Sequence, residues 1–183
     1  MQRRNLLKWM SAALSTACAS VIAVPGVKYL LATVQREGGQ AVPPQRVARL
    51  SDLPVGEPVE AAITGRRRDA WSIYPEEAVG RVWLIRRSED DAAEAKVDAY
   101  SSVCPHLRCA VSLEPSKEAF VCPCHRGRFG LEGERLKTDG QRNPANRGLD
   151  SLPVSIVDVD GDAWVEVTWQ EFEPGISAKK SMS

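Results

Sequence analysis

Both histidines of this 183-residue chain, and four of its five cysteines, fall in two short boxes. The first is Cys104-Pro105-His106-Leu107-Arg108-Cys109 and the second is Cys122-Pro123-Cys124-His125. Cys and His are the soft and borderline ligands of transition metals. If both boxes ligate one metal, the chain must fold so that they meet. The pattern C-x-H in the first box and C-x-x-H in the second offers two thiolates and two imidazoles, with one further cysteine in each box.

Three readings of that pattern are open. Two Cys and two His at this spacing fit a [2Fe–2S] centre in which imidazoles replace two thiolates on one iron. A tetrahedral Cys2His2 zinc site uses the same ligand set, but it leaves two cysteines unused and the spacing is not that of a finger. Two plain disulfides in a stapled binding module leave unexplained why both histidines lie beside cysteines.

The boxes resemble the Rieske family, whose usual pattern is C-x-H-x-x-C followed by C-P-C-H; every Cys, His and Pro of it is present. The resemblance implies one [2Fe–2S] cluster per chain. Cys104 and Cys122 would hold the inner iron, and His106 and His125 the outer, redox-active one. It implies a disulfide between Cys109 and Cys124, a pair found in one branch of the family and absent from its ferredoxin-like dioxygenase domains. It gives His125, with His106 as its partner, the role of accepting a quinol proton, and it puts Leu107 in an apolar docking tip. The fifth cysteine, Cys18, stands in an apolar run and reads as a small buried residue.

Formal net charge is zero, from 24 basic and 24 acidic residues, so no basic surface argues for nucleic acid. The charge is unevenly placed. Arg3, Arg4 and Lys8 precede an uncharged run from Trp9 to Val27, which would span ~28 Å as a helix, close to the bilayer core. Gln2-Arg3-Arg4-Asn5-Leu6-Leu7-Lys8 resembles a twin-arginine export signal, a route that carries folded proteins. Ala17-Cys18-Ala19 offers a cleavage site, but the run is long for a signal core, so a retained single-pass anchor is the preferred reading. Its amino terminus would lie inside and the head on the periplasmic or outer side of the cytoplasmic membrane. Its Ala- and Ser-rich stripe suits packing against other membrane helices.

These features divide the chain into signal and transmembrane anchor (1–34), hinge or linker (35–50) and head (51–183), with cluster loops at about 101–150. In the linker, Gly38-Gly39 permit bending and Pro43-Pro44 stiffen the chain. In the head, Arg81–Arg86 and Asp98–Val103 are short β-type runs separated by a charged loop, Ser88–Glu94. Asp160-Gly161 between Pro153–Val159 and Ala163–Thr168 predicts a hairpin. No long amphipathic helix is evident there. The fold class is therefore all-β, an antiparallel barrel or sandwich with a two-loop cluster-binding subdomain, preceded by one transmembrane helix. The family resemblance implies the same.

Arg142–Asp150 falls where quinol-oxidising Rieske proteins carry a proline-rich loop over the cluster, though only Pro144 and Leu149 of that motif are kept. Trp169–Gly175 resembles the tail of bacterial Rieske subunits of cytochrome bc complexes. The resemblance covers roughly residues 1–10 and 80–175. It implies a subunit that oxidises quinol at a cytochrome b pocket and passes the electron to a c-type cytochrome, so it is part of an oxidoreductase and not a complete enzyme. The small subunit of a periplasmic molybdenum enzyme such as arsenite oxidase is the alternative. The chain also departs from the family. Gly127 and Phe129 stand where high-potential members have Ser and Tyr donors to cluster sulfurs, and Arg108 stands at a usual glycine, with Arg126 directly after His125. Losing those donors lowers the potential, which suits a low-potential quinol such as menaquinol.

Overall fold

The computed structural model describes residues 3–34, 43–68, 72–89, 95–137 and 142–182. The chain divides into an amino-terminal unit ending at Gly39 and a head, Gln40–Met182. The first unit is one helix, α1, Arg3–Val34, of which Arg3–Leu31 is long and apolar enough to cross a membrane once. Ser11 and Thr16 donate their hydroxyls back to the Leu7 and Ala12 carbonyls, each at 2.9 Å. Their polar atoms are thus satisfied within the helix, as an apolar surrounding demands. Cys18, expected to be buried, is exposed on α1, as are the helix residues on either side of it.

Of the stretch 35–50 read as linker, residues 35–42, with Gly38-Gly39, lie outside the described residues. Beyond Pro43-Pro44 the chain enters strand β1, Gln45–Arg49, so the first strand of the head begins inside that stretch. The other strands are β2 (Pro58–Arg68), β3 (Ile73–Arg86), β4 (Val97–Ser101), β5 (Ser112–Leu113), β6 (Ala119–Cys122), β7 (Gly127–Gly130), β8 (Arg135–Leu136), β9 (Val154–Val159) and β10 (Asp162–Val167). They form three antiparallel sheets, in the orders β1-β10-β9, β2-β3-β4 and β5-β6-β7-β8. The head is all-β, as the sequence predicts. Asp160 and Gly161 both take positive φ, 55° and 87°, the pair a type I′ turn requires, and Val159 and Asp162 pair across it. Most of the charged Ser88–Glu94 loop lies outside the described residues.

Strand β3 organises the interior. Val82, Trp83, Leu84 and Ile85 are consecutive and all buried, none more than 7% exposed. Side chains alternate across a strand, so Val82 and Leu84 enter one core with Ile63, Val97, Val165, Val167 and Trp169. Trp83 and Ile85 enter a second core with Tyr100, Val111, Phe120, Phe129, Cys104 and Cys122. The first core fills the space between the sheets containing β10 and β3. The second joins the β3 sheet to the four-stranded sheet that carries the Cys/His boxes. Gly80 on β3 is needed for a close approach: a Cβ there would overlap the Trp169 indole.

Leu84→Ala and Ile85→Ala remove fully buried side chains from opposite faces of one strand. Each should destabilise the head by about 2–5 kcal/mol in denaturant unfolding, whereas Glu60→Ala at an exposed position of β2 should stay within ~0.5 kcal/mol. An unchanged midpoint for either core variant would show that its face of β3 is not packed.

Candidate metal centre

The two boxes become two loops of one lobe. The first links β4 to β5. The Cys104 N–H donates to the Cys109 carbonyl at 2.8 Å, and the Arg108 N–H to the Cys104 carbonyl at 2.9 Å, which closes the loop on itself. The second links β6 to β7, with Cys122 paired to Gly127 across its base. Each loop turns at an arginine in the left-handed region, Arg108 at φ 64° and Arg126 at φ 55°. A residue with a Cβ pays roughly 1–2 kcal/mol for that conformation, so surrounding contacts must hold it. A disulfide between Cys109 and Cys124 joins the loops, as the sequence resemblance implies.

The four expected ligands form two close pairs, the Cys104 and Cys122 thiols and the His106 and His125 imidazoles. Cys104 and Cys122 are free thiols, each 1% exposed, within the second core. The rings of His106 and His125 lie edge to face, 4.8 Å between centroids and 80° between planes. His125 is exposed and His106 half-buried. Burial pushes the Cys104 thiol up to about 11. The backbone N–H groups of His106 and Leu107 bond it and pull the other way, while neighbouring Cys122 adds to the rise. Both backbone donors are thus aimed at a sulfur that stays protonated until a cation displaces its proton.

His106 Nδ1 is buried and has no hydrogen-bond partner. Leaving a buried nitrogen unsatisfied costs on the order of 1–3 kcal/mol. An orphaned imidazole nitrogen, two buried thiols with amides directed at one of them, and a second imidazole fit a metal cluster with mixed S and N ligands. The Cys122 sulfur also lies within 4.8 Å of the Cys109 and Cys124 sulfurs. Those two are joined to each other, so they cannot act as thiolate ligands.

A third loop, Arg142–Asp150, packs against the lobe through residues whose roles the sequence did not reveal. The buried Asn143 amide donates to the Arg128 carbonyl at 2.5 Å and the Leu136 carbonyl at 3.1 Å, and its Oδ1 accepts from the Ala145 N–H at 3.0 Å. Arg147 and Asp150 form a buried two-pronged ion pair, both contacts 2.8 Å, the geometry that best repays burial of two charges. The only sequence signal for them was their place within a loop whose proline motif is mostly lost. Leu107 is 59% exposed beside His106. Phe129 is fully buried, and Gly127 is buried with Asn143 Oδ1 3.4 Å from where a Cβ would stand.

The chain is 26% identical over 182 residues to the cytochrome b6-f complex iron-sulfur subunit 2 of Trichormus variabilis, covering 98% of this chain and 92% of that protein. It is 35% identical over 89 residues to the cytochrome b6-f complex iron-sulfur subunit of Prochlorococcus marinus, covering 49% and 44%. It is also similar to the crystal structure of the plasma membrane Rieske protein PetC3 from Synechocystis PCC 6803, at 20% identity and a TM-score of 0.39 over 66% of this chain and 97% of that one. Residues 44–153, more than half of the chain, match the Rieske [2Fe-2S] domain. With the Cys/His boxes on paired loops of an all-β head, the chain belongs to the Rieske [2Fe–2S] family.

Proposed function

We propose that this chain is the Rieske electron-transfer subunit of a membrane-bound cytochrome bc- or b6-f-type complex. In it the head oxidises quinol at a cytochrome b pocket and passes the electron to a c-type cytochrome. The observation that carries the reading is the pair of imidazoles at the protein's edge, adjoining two buried thiols and an exposed leucine. The names of the relatives and a helix apt for one membrane crossing support the same reading. The disulfide suits an oxidising compartment, and hence a head on the outer side.

Cys104, Cys122, His106 and His125 would hold the [2Fe–2S] group. When bound, that group supplies a one-electron acceptor whose charge is felt by its imidazole ligands. The chain's residues do the rest. Burial of Cys104 and Cys122 keeps water from the sulfur side. His106 Nδ1 is turned into the protein, which leaves Nε2 as the nitrogen available to a quinol hydroxyl. His125 is exposed and is the imidazole that would accept the quinol proton. Leu107 gives the tip an apolar contact beside this nitrogen pair.

His106→Ala or His125→Ala should abolish the EPR signal of the reduced two-histidine cluster in otherwise folded protein. A full signal in either variant would remove that residue from the ligand set. Isolation of the intact complex from membranes should yield haem b and haem c with this chain. A molybdopterin instead would assign it to a molybdenum enzyme.

The disulfide closes a loop with a sequence separation of 15. The Cys109→Ser, Cys124→Ser double variant should lose about 3 kcal/mol by the loop-entropy relation and should release iron faster to a chelator. Alkylation of the native protein without reductant should label neither cysteine; labelling of both in cluster-bearing protein would refute the bridge in solution.

Hydroxyl donors are missing at Gly127 and Phe129, so the midpoint should lie in the lower half of the Rieske span of roughly −150 to +300 mV. A Cβ at Gly127 meets nothing nearer than 3.4 Å, so Gly127→Ser fits with little adjustment. Together with Phe129→Tyr it should raise the midpoint in a redox titration followed by circular dichroism. A wild-type midpoint near the top of the span, unmoved by the double substitution, would show that other groups set the potential.

A further inference from the structure

The segment Trp169–Met182 is bonded to the first cluster loop and to the third loop. Trp169 and Phe172 root it in the first core, 5% and 8% exposed. Between these anchors Glu171 reaches the first cluster loop, where its Oε2 accepts from Arg108 Nη2 at 2.9 Å. Arg108 Nη1 also contacts the Met182 sulfur at 3.1 Å, and the Met182 N–H donates to the Glu171 carbonyl at 2.8 Å. Further along, the Gly175 N–H donates to the Pro105 carbonyl at 2.8 Å. On the other side, Asn146 Nδ2 donates to the Gly175 carbonyl at 2.6 Å and Arg147 Nη1 to the Ile176 carbonyl at 2.8 Å. The segment is a strap across the first and third loops.

Arg108 occupies a left-handed position that glycine would take without strain. Its guanidinium lies on the strap, and the backbone that carries it runs between His106 and Cys109. A cation there favours the reduced, more negative state of a cluster held by Cys104 and His106. The Glu171 carboxylate opposes that effect from a place fixed by its buried neighbours. Both side chains are partly exposed, 35% and 42%, so salt screens the pair without abolishing it.

We propose that Glu171 and Arg108 are a positioning pair that trims the cluster's reduction potential, with the strap fixing where the two opposite charges stand. The proposal rests on the ligand assignment above. Its test uses the full-length, cluster-loaded chain and its Arg108→Gln, Glu171→Gln and doubly substituted variants, read by redox titration at low and high salt. All three variants break the same ion pair, so a purely mechanical role would move all three midpoints in one direction or none. The charge role requires Glu171→Gln to raise the midpoint, Arg108→Gln to lower it and the double variant to return toward wild type, each shift shrinking at high salt. Shifts of one sign, or none, in a protein with a normal two-histidine EPR signal would overturn the pair alone. A wild type lacking that signal would overturn the ligand assignment and this proposal with it.

Discussion

One strand buried on both faces sets the plan of the head. Strands in sheets with one face in water alternate apolar and polar residues, but Val82-Trp83-Leu84-Ile85 admits no polar position. Such a strand must lie between two apolar layers. The β1-β10-β9 sheet supplies one and the cluster lobe the other, so the lobe packs onto β3 through Trp83 and Ile85. Trp83 meets Phe120 at 5.2 Å between ring centroids, and its indole N–H donates to the Val111 carbonyl at 3.4 Å. The sulfur ligands inherit their surroundings from this arrangement. Cys104 and Cys122 stand in the same core as Phe120 and Phe129, and that apolar packing holds an unloaded thiol protonated.

What the sequence disclosed and what it withheld follow from the range of each interaction. The boxes were legible because metal ligation fixes residue type and spacing locally. The β9–β10 hairpin was legible because Asp160-Gly161 encodes its turn in two residues. The apolar run of β3 was legible as a strand, and its burial on both faces shows only once two layers pack on it. The polar scaffold of the third loop was not, because nothing near Asn143 in sequence says that its amide will meet carbonyls at 128 and 136. Arg147 and Asp150 look like ordinary surface charges until the fold buries them together. The strand at the start of the head was hidden for a similar reason. Gln45–Arg49 is polar enough to read as linker, and only its pairing with β10 makes it a strand.

The two arginines of the cluster loops show how a local rule gives way to a longer-range one. Sequence alone sets Arg108 and Arg126 against the missing hydroxyl donors at Gly127 and Phe129: cations that favour reduction against lost hydrogen bonds that disfavour it. The fold changes that balance. Arg108 is matched by Glu171 at 2.9 Å, and from the distance of a cluster an ion pair acts as a dipole whose field falls off faster than that of a lone charge. The lost donors have no such compensation, since Phe129 is sealed in the core and Gly127 carries no side chain to offer one. Electrostatics near the centre therefore weigh toward a lower potential than a count of arginines implies. The left-handed strain at Arg108 is offset by contacts that reach across to residues more than sixty positions away.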